Sequence, residues 1–460
     1  MRAKEYRFMK KILSVVIALL LMGTVCAATA CSGGATLADP DDYEVGQVDV
    51  NIEATLDVAC LNTTQEKELM QDLAKGFQAI YKNVKFRYTT LTDYEAGIAQ
   101  EIVAGTQLDV IWVPDAYVTS LADEGLLYNL DKYIEETGFD TSLYDETMMA
   151  LGKYKHGTVS DASQYFLPRD YSKIVTYINR DLVEKYAPDF DLDYYVENQD
   201  EWTWEAMLSL CAQLKSGMEN ETNKPYIIES MWQWMIQFYG MVESYGGTYL
   251  NPETGEAVLD DGFKQALESI KELIDAGYTK YDSDLTELSR FHFGQAVLAF
   301  QSRPYLATAV MLDEEYGADC LEVLPFPAIG ENPKVGTGTT GYGICTSTKN
   351  ADLAWEFLRF MMSKEGQTIL ASSGKAIPSM NELREGENAS WKQFEADYNY
   401  NREAFLYAPE RDIVQSYYDM ISSAKASQHE KALKNSIFEN YWGGNMSIED
   451  AIDHYTQAVM

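Results

Sequence analysis

Strand-like and helix-like segments alternate from residue 55 onward, and this alternation restricts the possible folds more than any other feature. Thr55–Leu61, residues 84–89 and residues 109–113 are short apolar or β-branched runs that predict strands. Between them, apolar residues recur at helical spacing, which predicts a helix after Thr63 and a second helix over Tyr94–Val103 that ends at Gly105. Strand–helix–strand units with short connections form right-handed crossovers, so the pattern predicts a parallel sheet and the α/β class.

The first of these helices begins with a capping-box pattern. Thr63 stands at the N-cap and Glu66 follows three residues later, so each side chain is predicted to accept a hydrogen bond from a free backbone N–H. The residues of this helix that are predicted to face the core are Leu69, Leu73, Phe77 and Ile80. Further strands are predicted at 173–178, 296–300, 321–324 and 342–345, and further helices after Thr203, around 263–274, after Asn350 and over 447–459.

The chain has 460 residues, enough for two or three domains or for one large two-lobed unit. Its 72 acidic and 36 basic residues give a formal charge of −36. Such a surface repels phosphate backbones and anionic headgroups, which argues against nucleic acid as a partner and against membrane binding through basic patches. Aromatic residues make up 12% of the chain. They suit neutral polar ligands such as sugars, although the same rings could fill the core.

The first thirty residues resemble a secretory leader. Five basic residues lie before or at the start of an apolar run over 12–25, which is too short for a comfortable membrane-spanning helix. Small residues then lead to Cys31 and a Ser-Gly-Gly spacer, which resembles a bacterial lipoprotein signal whose cysteine receives the lipid. Ala28 stands where that signal usually has Leu. The alternatives are lipidation at Cys26, or a plain signal peptide that leaves Cys31 free, and translation could also start at Met9.

Removal of residues 1–30 would leave a net charge of −40, because five basic residues and one acidic residue are lost. No other run of the sequence is apolar and long enough to span a bilayer. The chain after the leader is therefore predicted to be a folded body on a lipid anchor, since two acyl chains hold a protein stably at a membrane. Residues 31–49 are small, acidic and contain Pro and Gly, which predicts a flexible tether.

Four cysteines remain after the leader, and three disulfide pairings are open to them. Their apolar surroundings favour buried free thiols, and a large core does not need disulfides. The cysteines are Cys60, Cys211, Cys320 and Cys345.

Signals for catalysis, metals and cofactors are weak. Residues 336–341 match the glycine pattern of a dinucleotide site, but a predicted strand follows where that site needs a helix. Asp189, Asp191 and Asp193 alternate as in a calcium loop, yet Tyr194 occupies the position that needs Gly. The four histidines lack metal-ligand spacing. The sequence thus predicts no cofactor, no metal site and no catalytic residue.

Four longer segments occur in an order typical of one family. They are residues 99–130 with the run Ala-Gly-Thr-Gln-Leu-Asp-Val-Ile-Trp-Val-Pro-Asp, residues 166–185 followed by Trp-Thr-Trp-Glu at 202–205, the run Val-Leu-Pro-Phe-Pro at 323–327, and residues 347–378. With the lipoprotein-type leader, they resemble the family 1 extracellular solute-binding proteins of ABC importers. Leu108 replaces the usual Pro of the family, and the resemblance spans most of the chain after the leader.

The resemblance implies a periplasmic-binding-protein-like fold. Two α/β lobes are joined by a hinge in which the chain crosses several times, and hinge closure traps the ligand in the cleft. Crossings are expected near residues 167–168, 329–333 and 376–378, where prolines fix the backbone. The first lobe would comprise residues 50–166 and 334–376, and the second lobe residues 167–333 and 377–460.

Candidate ligand-binding residues lie where loops follow the carboxyl ends of predicted strands, or at the expected crossings. Aromatic faces can stack on the C–H surface of a sugar, and charged planar groups can pair with its hydroxyls. For Trp232 and Trp234 the alternative is core packing. For Arg169 with Asp170 it is a structural salt bridge at the hinge, and Trp112 could be buried in its sheet. The candidates are Asn62, Thr63, Trp112, Asp115, Tyr117, Arg169, Asp170, Tyr171, Trp232, Trp234, Arg303, Tyr305 and Tyr342.

The leader pattern and the family resemblance together imply a lipid-anchored, monomeric substrate-binding protein on the extracellular face of a bacterial membrane. It would capture a carbohydrate, with an oligosaccharide favoured, and deliver it to the transmembrane subunits of an ABC permease without performing chemistry. Two alternatives stay open: a cell-surface glycoside hydrolase, and an adhesin or sensor that binds glycan without transport. Binders of other small solutes share the fold, so the sequence does not name the ligand.

Overall fold

The computed structural model describes residues 37–91, 94–154, 162–251, 254–282, 285, 288–317, 319–374, 376–386, 389, 391–392, 398–413 and 423–460. The predicted leader and the predicted lipidation site Cys31 lie outside these residues.

Strands and helices alternate along the described chain, as the sequence predicts. The strands are β1 (Thr55–Leu61), β2 (Lys85–Leu91), β3 (Val110–Pro114), β4 (Lys153–Tyr154), β5 (Ser163–Gln164), β6 (Leu167–Pro168), β7 (Asp170–Asn179), β8 (Tyr226–Ser230), β9 (Ala296–Ser302), β10 (Leu321–Pro325), β11 (Thr337–Gly338), β12 (Thr340–Ile344) and β13 (Ile377–Pro378). The α-helices are Thr64–Ile80, Tyr94–Val103, Val118–Asp123, Asp131–Thr137, Glu146–Leu151, Arg180–Tyr186, Leu192–Glu197, Trp204–Gly217, Met235–Ser244, Asp261–Asp275, Leu306–Ala309, Met311–Tyr316, Ala351–Met362, Lys364–Ser372, Asn381–Arg384, Ser423–Ala432 and Ile448–Val459, and Leu433–Trp442 is a π-helix.

The first sheet has the strand order β2-β1-β3-β12-β6. The early strands β1, β2 and β3 are parallel, which confirms the expected parallel pairing, while the late strand β12 runs antiparallel to β3 and β6. Helices Thr64–Ile80 and Ala351–Met362 bury their apolar sides in the core of this sheet. This half of the molecule therefore combines an N-terminal α/β unit with a strand and helices from late in the chain.

The second sheet has the strand order β10-β7-β9-β8, with β11 and β13 also paired to β7. β8 runs parallel to β9, and the long strand β7 runs antiparallel to β9 and β10. Helices Trp204–Gly217, Asp261–Asp275 and the C-terminal segments cover it. The sheet has its own apolar core, so the two sheets form two α/β units and confirm the predicted fold class.

The chain passes between the sheets at positions marked by short strands. Arg169 separates β6 of the first sheet from β7 of the second, and Thr339 separates β11 from β12 in the same way. The passage at Thr339 lies later than the expected 329–333, because Val335 still exchanges backbone hydrogen bonds with the segment 411–413 and β11 still pairs with β7. The short strand β13 brings the chain back to β7. The full lobe boundaries stay a prediction.

The first helix, Thr64–Ile80, agrees with the predicted cap and differs from the predicted core face at one residue. Thr63 is its N-cap and accepts a hydrogen bond from the Glu66 N–H at 3.2 Å, as predicted. The prediction for Ile80 is wrong, because its side chain is 50% exposed. Tyr81 takes the buried position at this end of the helix and stacks on Phe77 with ring centroids 4.6 Å apart.

The four described cysteines are buried and form no disulfide, as predicted: Cys60, Cys211, Cys320 and Cys345.

The segment before β1 differs from the prediction of a flexible tether. From Ala38 onward it lies against the first α/β unit, and Tyr43 packs against two aromatic rings of that unit. The composition of the segment alone does not reveal these contacts.

Candidate functional site

Strand ends from both sheets meet beside the two chain passages. Pro114 at the end of β3 pairs with Thr340 at the start of β12, and Pro168 at the end of β6 pairs with Gly341. In the second sheet, Ser302 at the end of β9 pairs with Ile174, close to the start of β7. Loops beyond the carboxyl ends of strands form the ligand crevice of open α/β sheets, so this junction is the candidate site.

A buried ion cluster joins the first helix to both passages. The Arg169 guanidinium is 4% exposed and donates to both carboxylate oxygens of Glu66, at 2.8 and 3.0 Å. Its Nε donates to Thr340 Oγ1 at 2.8 Å and to Asp170 Oδ2 at 3.2 Å. Burial is the largest single influence and lowers the pKa of Arg169, but the charge and hydrogen bond of Glu66, the Tyr342 hydroxyl and the charge of Asp170 together outweigh it and raise that pKa. A bidentate buried pair of this kind fixes the relative position of the segments that it joins.

Aromatic rings flank this cluster. The Arg169 guanidinium lies 5.8 Å from the ring centroid of Trp112 and 5.6 Å from that of Tyr342, and it donates to the Tyr342 hydroxyl at 3.1 Å. Burial raises the pKa of Tyr342 to about 12. Trp112 is 8% exposed and packs edge-on against Tyr94. The structure therefore brings Trp112, Arg169, Asp170 and Tyr342 together and buries all four. Whether they contact a ligand stays a prediction.

Asp115 lies directly after β3 and is only partly buried. Its carboxylate accepts from the Thr339 N–H at 3.0 Å and from the Ala116 N–H at 2.7 Å. Although the residue keeps some exposed surface, withdrawal of its carboxyl group from water raises the pKa of Asp115 to about 6 despite these bonds, and the charge of nearby Asp170 adds to the shift. A carboxylate can accept about four hydrogen bonds, so Asp115 has capacity left for the hydroxyls of a ligand.

Three further candidates lie on the same edge of the first sheet. Asn62 and Thr63 follow β1 and are exposed, and Tyr117 follows Asp115 and is partly exposed. Thr63 is committed through its hydroxyl to the helix cap, and Asn62 accepts from Lys67 Nζ. This edge thus combines a carboxylate, an amide and an aromatic ring, of which Asn62 is exposed and Asp115 and Tyr117 are partly exposed.

The second-lobe candidates are mostly buried. Trp232 is 1% exposed, packs edge-on against Phe300 and donates through Nε1 to Thr279 Oγ1 at 3.0 Å. These contacts match the alternative interpretation, in which Trp232 packs in the core of the second lobe. Arg303 is also 1% exposed, with its guanidinium 5.2 Å from the ring centroid of Phe405. Whether any of these residues contacts a ligand stays a prediction.

Two second-lobe aromatic residues keep some exposed surface. Trp234 is the N-cap of helix Met235–Ser244, just after β8, and Tyr305 follows β9. The Tyr305 ring lies edge-on to Tyr177, and its hydroxyl is 3.4 Å from His292 Nδ1. Trp234 is therefore the second-lobe candidate with the largest ring that remains partly accessible.

Sequence reasoning missed a second buried ion pair, formed by Lys173 and Asp412. Asp412 also accepts from the Tyr171 hydroxyl, which uses the polar group of that candidate. Burial lowers the pKa of Lys173 and raises that of Asp412, while each charge partly offsets the shift of the other. The partner of each residue lies more than two hundred positions away, so no local signal could have paired them.

The glycine run at 336–341 has a packing explanation. A Cβ on Gly341 would lie 2.3 Å from the Leu167 carbonyl oxygen, and a Cβ on Gly336 would lie 2.5 Å from the Ile236 carbonyl oxygen. Only glycine permits such close approach of two backbones. The pattern that resembles a nucleotide loop therefore serves the strand pairing at the passage.

The two apolar cores also meet away from the passages. Helix Ser423–Ala432, whose end belongs to the second core, lies against helix Val118–Asp123 of the first core.

Among the described residues, no three His, Cys, Asp or Glu side chains are grouped so as to hold a metal ion. Within the same part of the chain, every helix is too short or too polar to cross a membrane.

Two α/β units joined by repeated chain passages, with polar and aromatic groups at the junction, have the architecture of two-lobed binding proteins. Residues 72–397 match the sequence profile of the family described as bacterial extracellular solute-binding protein. The chain belongs to this family.

A curated relative is the maltotriose-binding protein of Pyrococcus abyssi, 24% identical over 337 residues. The alignment covers 69% of this chain and 65% of that relative, slightly under two thirds of its length.

Solved structures share the fold. An ABC substrate-binding protein of Listeria monocytogenes in complex with cycloalternan matches with a TM-score of 0.71 at 18% identity, over 89% of this chain and 98% of that chain. The GacH receptor of Streptomyces glaucescens, solved unliganded and with acarbose, matches with a TM-score of 0.68 at 18% identity, over the same shares. These similarities confirm the periplasmic-binding-protein-like fold.

Proposed function

We propose that the protein captures a carbohydrate between its two lobes and delivers it to the transmembrane subunits of an ABC permease. The observation that carries this proposal is the partly exposed edge at the end of β3, where Asp115 and Tyr117 lie two positions apart in the chain and the Asp115 carboxylate bonds Thr339 at the passage beside the Arg169 cluster. A carboxylate with free acceptor capacity and an adjacent ring is the combination that recognises a neutral polyhydroxylated ring. The ligands named for three similar proteins are maltotriose, cycloalternan and acarbose, and they support the same ligand class.

An oligosaccharide suits this site better than a charged solute. The buried cations Arg169 and Lys173 near the passages are already paired, Arg169 with Glu66 and Asp170, and Lys173 with Asp412. A phosphate or carboxylate ligand would have to compete with these internal partners. A neutral sugar needs only the spare acceptors of Asp115 and the ring faces of Tyr117 and Trp234, which are partly exposed.

We further propose that Cys31 carries the lipid and that the protein acts as a monomer at the extracellular face of the membrane. The leader pattern and the absence from the sequence of another apolar run long enough to span a bilayer support this location. The family is described as bacterial extracellular solute-binding protein, which supports a location outside the cell and a role in binding.

The proposal is tested with the soluble chain that begins at residue 32, by Trp fluorescence and thermal unfolding against a sugar panel. The panel contains maltose, maltotriose, maltopentaose, cycloalternan, acarbose and tagatose, the ligands named for the structural relatives. A cognate sugar at one hundred times its Kd should stabilise the fold by about 2.7 kcal/mol. Glycerol phosphate and a short peptide serve as ligands of other classes.

Two results would contradict the proposal. One is that no sugar shifts the unfolding temperature while a charged solute does. The other is turnover of chromogenic glycosides that a single carboxylate replacement abolishes, which would favour a hydrolase. Loss of sugar uptake on deletion of a neighbouring permease gene separates transport from adhesion or sensing.

A further inference from the structure

The segment before β1 is bound to the first lobe along most of its described length. Ala38 N–H donates to the Thr346 carbonyl at 2.9 Å, and Asn129 N–H donates to the Pro40 carbonyl at 3.1 Å. The Asn129 side chain also donates to Asp41 Oδ1 at 2.9 Å. Backbone groups of a flexible tether would be left to water, so these bonds show a segment with a fixed course.

Tyr43 is the apolar anchor of this segment. Its ring stacks on Tyr133 with centroids 4.9 Å apart and meets Tyr128 edge-on at 5.1 Å. Its hydroxyl donates to the Asn129 carbonyl, and Lys132 Nζ donates to the Tyr43 carbonyl. Burial raises the pKa of the Tyr43 hydroxyl. An aromatic residue that is held by a stacked ring, an edge-on ring and a hydrogen bond from its hydroxyl makes a specific docking contact.

A second anchor follows at Gly46. Its N–H donates to Asp352 Oδ1 at 3.0 Å, and the same oxygen accepts from the Tyr133 hydroxyl at 3.0 Å. A Cβ on Gly46 would lie 2.3 Å from the Asp352 carboxylate, so a larger residue here would displace that side chain. The segment is therefore held at three places before the backbone reaches β1.

We propose that residues 38–52 form a strap that fixes the anchored end of the chain to the first lobe, so that the face of this lobe around Asn129 and Thr346 is held near the membrane. This inference rests on the proposed lipidation at Cys31. Seven residue steps separate Cys31 from Ala38, a reach of at most about 25 Å, whereas a tether free as far as Thr55 would reach roughly 80 Å. The second lobe is then the part of the molecule that moves relative to the bilayer when the cleft opens or closes.

The membrane test uses the lipidated full-length protein in vesicles that contain an acceptor-labelled lipid. A donor dye is placed at Lys349→Cys, three residues from Thr346, or at Glu268→Cys on helix Asp261–Asp275; both positions are exposed. The native thiols at 60, 211, 320 and 345 are buried, which directs labelling to the introduced cysteine. We expect at least twofold higher energy transfer from position 349 than from position 268.

Tyr43→Ala should remove most of this difference, because the longer free tether lets the body rotate above the bilayer. Glu44→Ala, an exposed change at the next residue, is the matched control and should keep the difference. Equal transfer from the two positions in the chain with Tyr43 intact would overturn the strap.

A failure of lipidation is distinguishable from a failure of the strap. If the protein does not bind vesicles, the proposed anchor is wrong, and hydrogen exchange on the soluble chain then decides on the strap. The Ala38 and Gly46 amides should be protected, and Tyr43→Ala should raise their exchange rates at least tenfold while Glu44→Ala leaves them unchanged. Fast exchange at both amides with Tyr43 intact would overturn the proposal.

Discussion

Candidate ligand-binding residues that follow strand ends differ in their exposure between the two lobes. At strand ends of the first sheet, Asn62, Asp115 and Tyr117 keep surface open to solvent. At strand ends of the second sheet, Trp232 and Arg303 are buried in aromatic surroundings. The difference teaches that a position after a strand places a residue near the junction but does not decide whether its side chain faces a ligand or the core.

The largest effect is expected from Arg169→Met, at the cluster that joins the first helix to the passages. Removing the guanidinium leaves the carboxylates of Glu66 and Asp170 buried without their cation, which costs about 3–5 kcal/mol of unfolding free energy. Urea unfolding at pH 7 measures this loss. Arg359→Met breaks a surface pair with Glu356, and should cost under about 1 kcal/mol. Similar losses in the two variants would contradict a structural role for the buried pair.

Two tryptophans of the second lobe test the comparison within one loop. Trp232→Ala removes a core side chain and its bond to Thr279, and should cost about 3–5 kcal/mol of stability. Trp234→Ala removes a partly exposed ring and should cost about 1 kcal/mol or less, while it weakens binding of the cognate sugar by tenfold or more. Thermal unfolding and titration calorimetry on both variants measure these effects. Sugar binding that survives Trp234→Ala unchanged would place the second-lobe contact elsewhere.

Local signals predicted local structure well. The cap at Thr63, the helix Tyr94–Val103 and the buried free cysteines follow from spacing and from the apolar neighbours of each residue. These features depend on contacts within one turn or on the composition of one segment, so one stretch of sequence contains the whole signal.

Contacts between distant segments were not predictable in the same way. Glu66 has the signature of a helix cap, yet its carboxylate holds Arg169, which lies 103 positions away. Tyr43 stands in an acidic segment whose composition indicates a tether, and only the folded first lobe supplies the rings that bind it. The candidate site was predicted as a location, because strand ends converge there, but the burial of each side chain depends on packing that one sequence does not specify.

Asp115 offers a test of the first lobe through pH. Burial raises its pKa from 3.8 to about 6, so between these values the unfolded chain releases the proton while the folded chain retains it. The contribution of Asp115 to stability therefore falls as pH rises from about 4 to 6, by about 1–3 kcal/mol. Relative to the parent chain, Asp115→Asn should gain that amount over this range, as measured by urea unfolding at several pH values. Glu68→Gln, at an exposed site on the first helix, controls for surface charge. A difference that does not change with pH would contradict the shift.

The smallest effects come from removing one hydroxyl on each side of the junction. Tyr305 lies with its hydroxyl beside His292 and its ring edge-on to Tyr177, so Tyr305→Phe should cost about 0.5–1.5 kcal/mol of stability and leave sugar affinity within about threefold. Tyr117→Phe, on the open edge of the first lobe, should leave stability within about 0.5 kcal/mol, because surface changes rarely cost more. Tyr117→Phe should weaken sugar binding about three- to tenfold, because the ligand loses a hydrogen bond to the hydroxyl.

Calorimetric titration of the two variants side by side measures both affinities. The reverse pattern, with affinity lost only in Tyr305→Phe, would show that the second lobe supplies the recognition and that exposure alone is a poor guide to the site.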